Sequence, residues 1–264
     1  MKSKFALILA GAAALSCMTA CDDINEADRF VPVQPVESNR TVLLEDYTGQ
    51  LCRNCPEAHE IIEGLEKQYG DRFIAVSIHA GSFGVAAGSS TLFEGLMQPQ
   101  GTGMADKRGI TEYPQGVIDG GKPLGRSAWA AAVLSALEIP ATCEISGSVT
   151  YTGSDATIAI DLLPGESFHG KIGMWVVEDN IVSIQQNGAQ LVMQYTHNNV
   201  WRGSVTPDVW GEDVSGNLGE KEELAFNYTL DKTWKPENCK LVVFVTNNNG
   251  DYMQAASIPF KAAE

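Results

Sequence analysis

The sequence predicts an α/β domain followed by an all-β sandwich, and three observations predict it. From Thr41 to Glu138, apolar strand-like runs alternate with segments of helical period. Beyond Ile139-Pro140 the pattern changes to short runs of two-residue alternation separated by turn signals. A Cys-x-x-Cys pair, Cys52 and Cys55, falls where the first strand gives way to the first helix.

TVLLEDY (Thr41–Tyr47) is an apolar run of strand character, and the alternation of Glu45 and Asp46 puts the two acids on opposite faces. PEAHEIIEGLEKQYG follows, with Ala58, Ile61, Ile62, Leu65 and Tyr69 at helical spacing and Gly70 as its stop. RFIAVSIHAG (Arg72–Gly81) reads as a second buried strand. GVIDGGK (Gly116–Lys122) reads as a strand entering a Gly-Gly turn, and SAWAAAVLSALE (Ser127–Glu138) as an alanine-rich helix. Between them Gly81–Gly103, rich in Gly and Ser, is long enough to be a lid or an edge insertion. The second half offers CEISGSVTY, ATIAIDLL, KIGMWVVED, the region around HNNVWRGSV, ELAFNYTL, CKLVVFVTN and MQAASIPF as strands, with NNNG (Asn247–Gly250) marking a hairpin.

Composition narrows the function classes. Of 264 residues, 44% are hydrophobic and 19% charged, which suits a packed core and excludes a mostly disordered chain. A net charge of −15 argues against a nucleic-acid groove or a polybasic membrane patch. Lys2 and Lys4, the apolar stretch Phe5–Leu15 and the small residues before a cysteine form an export signal over residues 1–20. That stretch is too short to span a bilayer. A signal ending at small residue–Cys resembles that of a bacterial lipoprotein. Cys21, preceded by Ala20 and followed by Asp22-Asp23, is the expected lipid anchor over Cys17. Residues 21–38, acidic and containing Pro32 and Pro35, read as a tether. Residues 39–139 and 140–264 are the two expected domains.

The cysteine pair has a chemical rationale. Free N–H groups and the positive end of a helix dipole stabilise a thiolate, so Cys52 at a helix start is a candidate nucleophile and Cys55 its resolving partner. Asp46, six residues earlier, is a candidate proton acceptor if burial raises its pKa, with Glu45 as the alternative. A structural disulfide in an oxidising compartment is the competing reading. Zinc would need a second ligand pair, and neither a metal nor a cofactor is expected. His59 reads as a solvated helix-face residue and His79 as a structural strand-end residue. Cys143 and Cys239 each fall in the inward register of a strand; a disulfide between them and two buried free thiols are the alternatives.

These residues resemble the thioredoxin-like superfamily. The match rests on Cys52 and Cys55 at the strand-to-helix junction, on Asp46, and on RGITEYPQGVIDGG (Arg108–Gly121), similar to the family's cis-proline loop. The resemblance implies that Pro114 is that proline and docks the partner's backbone beside the disulfide. Leu51 and the Arg53-Asn54 pair depart from the family's usual residues. The mature chain further resembles the outer-membrane-protein-28-related lipoproteins of Gram-negative bacteria. Val42–Ile62, Val76–Gly81, Tyr113–Gly120, Val176–Gln186 and Tyr195–Val205 carry that resemblance. It implies an outer-membrane lipoprotein, lipid-anchored, with a thioredoxin-like domain followed by an immunoglobulin-like sandwich. The function expected is thiol–disulfide exchange with a protein partner; the alternative is surface binding or adhesion with a purely structural disulfide.

Overall fold

The computed structural model describes residues 39–263; the export segment, Cys21 and the tether as far as Ser38 lie outside the described residues. β1 (Val42–Thr48) is buried along its whole length, Glu45 and Asp46 included, as a strand covered on both faces must be. It pairs in parallel with β2 (Phe73–His79) and antiparallel with β3 (Gln115–Ile118). Parallel neighbours need a crossover, which α1 (Cys55–Tyr69) supplies. Alternation sends Val42 and Leu44 toward α1 and α3 (Trp129–Leu137), and Leu43 and Tyr47 to the other face, where α2 (Gly101–Arg108) packs through Met104 and Ala105. β4 (Leu124–Gly125) closes the edge beside β3.

The rest of the chain forms β5 (Cys143–Thr152), β6 (Asp155–Pro164), β7 (Phe168–Glu178), β8 (Ile181–Asn187), β9 (Gln190–His197), β10 (Val200–Ser204), β11 (Glu212–Gly216), β12 (Glu222–Thr229), β13 (Cys239–Asn247) and β14 (Tyr252–Ala262). β6 buries alternate residues, and its Ile158, Ile160 and Leu162 share a core with Met174 and Val176 of β7 and Leu241 and Val243 of β13. The opposite faces of β7 and β13 carry Trp175, Val177, Val242 and Phe244. These pack in one core with Leu43, Tyr47 and Ile78 of the α/β part. β10 bridges the two parts, pairing with β7 and, at Val200–Ser77, with β2. The strand order therefore runs β12-β6-β5-β14-β13-β7-β10-β2-β1-β3-β4, a large mixed sheet with β11 beside β7. The described residues make one compact, mostly β unit with three α-helices.

Two elements differ from the sequence reading. α2 begins inside the stretch expected to be a loop; Gly101 and Gly103 weaken its helical signal. At Gly101 a Cβ would lie 2.5 Å from the His79 carbonyl oxygen, so the helix approaches β2 through that glycine. β8 and β9 form a separate two-stranded hairpin off the main sheet. Asn187-Gly188, with Gly188 at φ 55°, is the turn signal that marks it.

The disulfide considered between Cys143 and Cys239 is not formed; both are free, buried thiols. Register explains why. Val149 pairs with Phe260, while Lys240 pairs with Pro259, so Cys239 lies near the end of β14 that meets Val149. Cys143 is six residues back along β5, about 20 Å away at ~3.3 Å per residue. A disulfide needs Cα atoms within about 7 Å.

Candidate functional site

After β1 the chain turns through Gly49–Asn54 into α1. Cys52 N–H donates to the Gly49 carbonyl at 3.0 Å, and Cys55 N–H lies 3.4 Å from the Cys52 carbonyl. Cys52 and Cys55 are joined in a disulfide with Cα atoms 5.5 Å apart. Pro56 follows in the first turn of the helix, where its missing N–H leaves no bond unmade. Leu51 N–H donates to the Phe83 carbonyl at 2.9 Å, so the start of the long Gly81–Gly103 segment braces the cysteine loop. The Phe83 ring is 5.6 Å from that of Tyr113, and the Tyr113–Pro114 peptide is cis. Pro114 precedes β3, whose Gln115 pairs with Tyr47. It therefore stands at the end of the sheet that also carries the cysteine loop.

Asp46 faces α1 and Glu45 faces away. Glu45 forms an ion pair with Arg108 of α2 and accepts from the Tyr47 hydroxyl at 2.8 Å, which makes it part of the packing on the far side. Asp46 is wholly buried; Ser77 Oγ donates to its Oδ2 at 3.2 Å, while Oδ1 has no hydrogen-bond partner. Burial pushes its carboxyl up to about 7, against a smaller lowering by the Ser77 hydroxyl. His59, one helical turn beyond Cys55, places Nε2 3.9 Å from Asp46 Oδ2 and 3.2 Å from Thr48 Oγ1. The solvated helix face expected for His59 is instead covered by β9, whose Tyr195 hydroxyl is 2.8 Å from His59 Nδ1.

The cover is the β8–β9 hairpin. Gln186 N–H donates to the Gln50 carbonyl at 2.7 Å, and Gly188 N–H to the Arg53 carbonyl at 3.0 Å. Gln185 Nε2 lies 3.0 Å from the Cys52 carbonyl. Gln50, itself buried, donates from Nε2 to Ser183 Oγ and the Glu94 carbonyl and accepts from Leu96 N–H, each at 2.9 Å. With the tip seated there, Cys52 is 2% exposed. A register shift between Ser183 and Gln185 separates tip from base. At the base, His197 Nε2 donates to the Ile184 carbonyl at 3.1 Å, and its ring lies 5.5 Å from that of His79 and 6.4 Å from that of His59. Burial lowers His59 to about 3, His197 to about 4 and His79 well below the usual histidine value. All three are neutral at pH 7. Among the described residues, no group of His, Cys, Asp and Glu is arranged to hold a metal ion.

Residues 103–258 match the family described as outer membrane protein Omp28. The chain belongs to that family. As an Omp28-family chain it is an outer-membrane protein, and the matched residues include Pro114 and the whole hairpin but begin beyond Cys55. Among solved structures, HBP35 of Porphyromonas gingivalis is similar at 18% identity and a TM-score of 0.67, covering 84% of this chain and 76% of that one. A protein from Agrobacterium tumefaciens is similar at 14% identity and a TM-score of 0.52, over 82% and 93% of the two chains. At these identities the likeness is one of fold. A domain of the outer membrane lipoprotein Omp28 from Porphyromonas gingivalis aligns over 47% of this chain and 92% of its own, at 17% identity and a TM-score of 0.35. No curated protein matches the sequence significantly.

In this Omp28-family protein the hairpin covers the Cys52–Cys55 loop with its tip and, through Tyr195, the helix residue His59 that stands beside Asp46. Cys143 and Cys239 lie in a different core. Gln50, Gln185, Tyr195 and His197 join the site from segments that carry the family resemblance but were assigned no role in it.

Proposed function

We propose that this outer-membrane protein is a lipoprotein held by Cys21 after loss of residues 1–20, with residues 21–38 as its tether. In this reading residues 39–139 form a thioredoxin-like domain that performs thiol–disulfide exchange, and residues 140–264 an immunoglobulin-like sandwich. A partner thiolate attacks Cys52 Sγ, the Cys52–Cys55 bond breaks, and Cys55 leaves as a thiolate that takes the proton of Asp46. In the reverse direction Asp46 accepts the Cys55 proton as that sulfur displaces the partner from Cys52. Pro114 orients the partner's backbone. One observation carries the reading: Asp46 is a sealed carboxylate, raised to about 7 by burial, beneath the helix that starts at Cys55. A purely structural disulfide needs no such group, and burying an acid there costs stability.

The test is equilibration of the full chain in a dithiol–disulfide buffer series. A Cys52–Cys55 potential above about −300 mV supports exchange; a lower one, the range of inert disulfides, overturns it. A Cys55→Ser variant should accumulate mixed disulfides through Cys52. Loss of fatty-acid labelling in Cys21→Ser tests the anchor.

A second reading, a surface-binding lipoprotein with a structural disulfide, is favoured by the burial of Cys52 under the hairpin. A Cys55→Ser variant that traps no partner yet retains binding to cells or matrix selects it.

A further inference from the structure

Asp46 has no exposed surface, yet exchange obliges it to lose a proton to Cys55 and regain one in every cycle. A sealed carboxylate of this kind needs a path to water. We propose that His59 and Tyr195 form that path, a proton wire whose outer member is contributed by the β8–β9 hairpin. The inference rests on the exchange reading above.

The distances run in series. Asp46 Oδ2 is 3.9 Å from His59 Nε2, with Thr48 Oγ1 beside the same nitrogen at 3.2 Å. On the other side of the ring, Nδ1 is 2.8 Å from the Tyr195 hydroxyl. His59 and Tyr195 both line an open cleft between α1 and β9, with Ser77 at its floor and Glu63 and Glu66 on its rim. His197 Nε2 is engaged by the Ile184 carbonyl, whereas His59 Nε2 lies within 3.9 Å of Asp46 Oδ2, which leaves His59 as the conductor.

Protons balance along the wire. When the disulfide is reduced, Cys55 takes the Asp46 proton. Asp46 takes one from His59 Nε2, Nδ1 takes the Tyr195 proton, and Tyr195 is refilled from water in the cleft. His59 changes tautomer and gains no charge; oxidation runs the sequence backward and restores it. The groups facing the wire are Asp46 on β1, His79 on β2 and His197 on β9, with Glu60, Glu63 and Glu66 on α1 itself. Burial holds His59 near 3 and Tyr195 near 12, so both stay neutral from pH 5 to 9 and pass a proton without storing it. The wire is compatible with attack at Cys52. Tyr195 pairs with Ser183 at the base of the hairpin, below the bulge, while Gln185 to Gly188 at the tip cover the cysteines.

The experiment is single-turnover reduction of the full-length protein by dithiothreitol, with acid quench and thiol counting, from pH 5.5 to 8.5. The Tyr195→Phe to wild-type rate ratio should be near one below pH 6, where Asp46 already holds its proton. It should fall to about one-hundredth by pH 8.5, the lower end of the ~100- to 10,000-fold range of positioned proton transfer. The Cys52–Cys55 potential, an equilibrium quantity, should be unchanged. His59→Gln should give the same pH-dependent deficit and serves if Tyr195→Phe disturbs the hairpin. A ratio independent of pH in both variants overturns the wire while leaving exchange intact. A wild-type disulfide that dithiothreitol reduces only after unfolding overturns the exchange reading itself.

Discussion

Gln185 Nε2 donates to the Cys52 carbonyl oxygen at 3.0 Å across 133 residues of sequence. The same nitrogen lies 3.3 Å from the Gly49 carbonyl, and Gln185 is fully buried. The tip of a hairpin in the β-rich half thus clasps the loop that carries the disulfide. Loss of one such bond is worth about 1 kcal/mol, or roughly fivefold in an opening equilibrium. Gln185→Ala should therefore speed reduction of Cys52–Cys55 by a small dithiol about fivefold. An unchanged rate of thiol release would mean that the tip does not limit access.

Asp46 should make stability depend on pH in a stated direction. Its folded value is about 7, against ~3.9 for an unfolded aspartate. Between those values the folded state holds a proton that the unfolded state lacks, so this contribution is lost as pH rises through 7. Asp46→Asn removes the dependence. Relative to wild type, the variant should gain up to about 4 kcal/mol between pH 4 and pH 7 and level off above 7, as read by urea unfolding.

Arg202, on β10, is buried beside Glu178 of β7, with Nε 3.0 Å from Oε2, and its Nη2 is 2.5 Å from Glu94 Oε1. Removing one member of a buried ion pair leaves the other without compensation, at a cost of about 3–5 kcal/mol. Arg202→Leu should lower the urea midpoint accordingly, and the Glu178→Gln, Arg202→Leu double variant should recover part of the loss.

At Gly49 a Cβ would lie 2.5 Å from the backbone carbon and oxygen of Phe83. Backbone cannot swing aside as a flexible side chain does, so Gly49→Ala must displace one of the two segments. The expected cost is about 1–3 kcal/mol. Faster amide exchange at Leu51, which donates to the Phe83 carbonyl, would locate the damage.

Burial raises the thiols of Cys143 and Cys239 to about 11 and about 12. Both should resist maleimide in the native protein and react only on unfolding, without prior reduction. Labelling that required a reductant would show that the two are bonded after all.

What the sequence made legible followed from local physics. The apolar opening of β1, the helical period of α1 and the alternation of β6 are properties of short segments, and each stands where its pattern predicts. Strand alternation likewise decided between Asp46 and Glu45 once α1 was known to cover one face. α2 was hidden because its two glycines are poor helix formers, and its position depends on contact with β2. The coverage of His59 was hidden because Tyr195 reaches it from 136 residues away. No local pattern encodes which strand pair will leave a sheet and fold back over a distant loop.

The core that joins Leu43, Tyr47 and Ile78 to Trp175, Val242 and Phe244 has a consequence for descent. A recombination event near Pro140 that imported a foreign second half would strip apolar side chains from one face of β1 and β2. It would also remove the partner that Ser77 finds in Asn199, at 2.6 Å. Such chimaeras would be selected against before any question of chemistry arose. The two halves therefore stand or fall together, because neither can present its apolar face to water without the other.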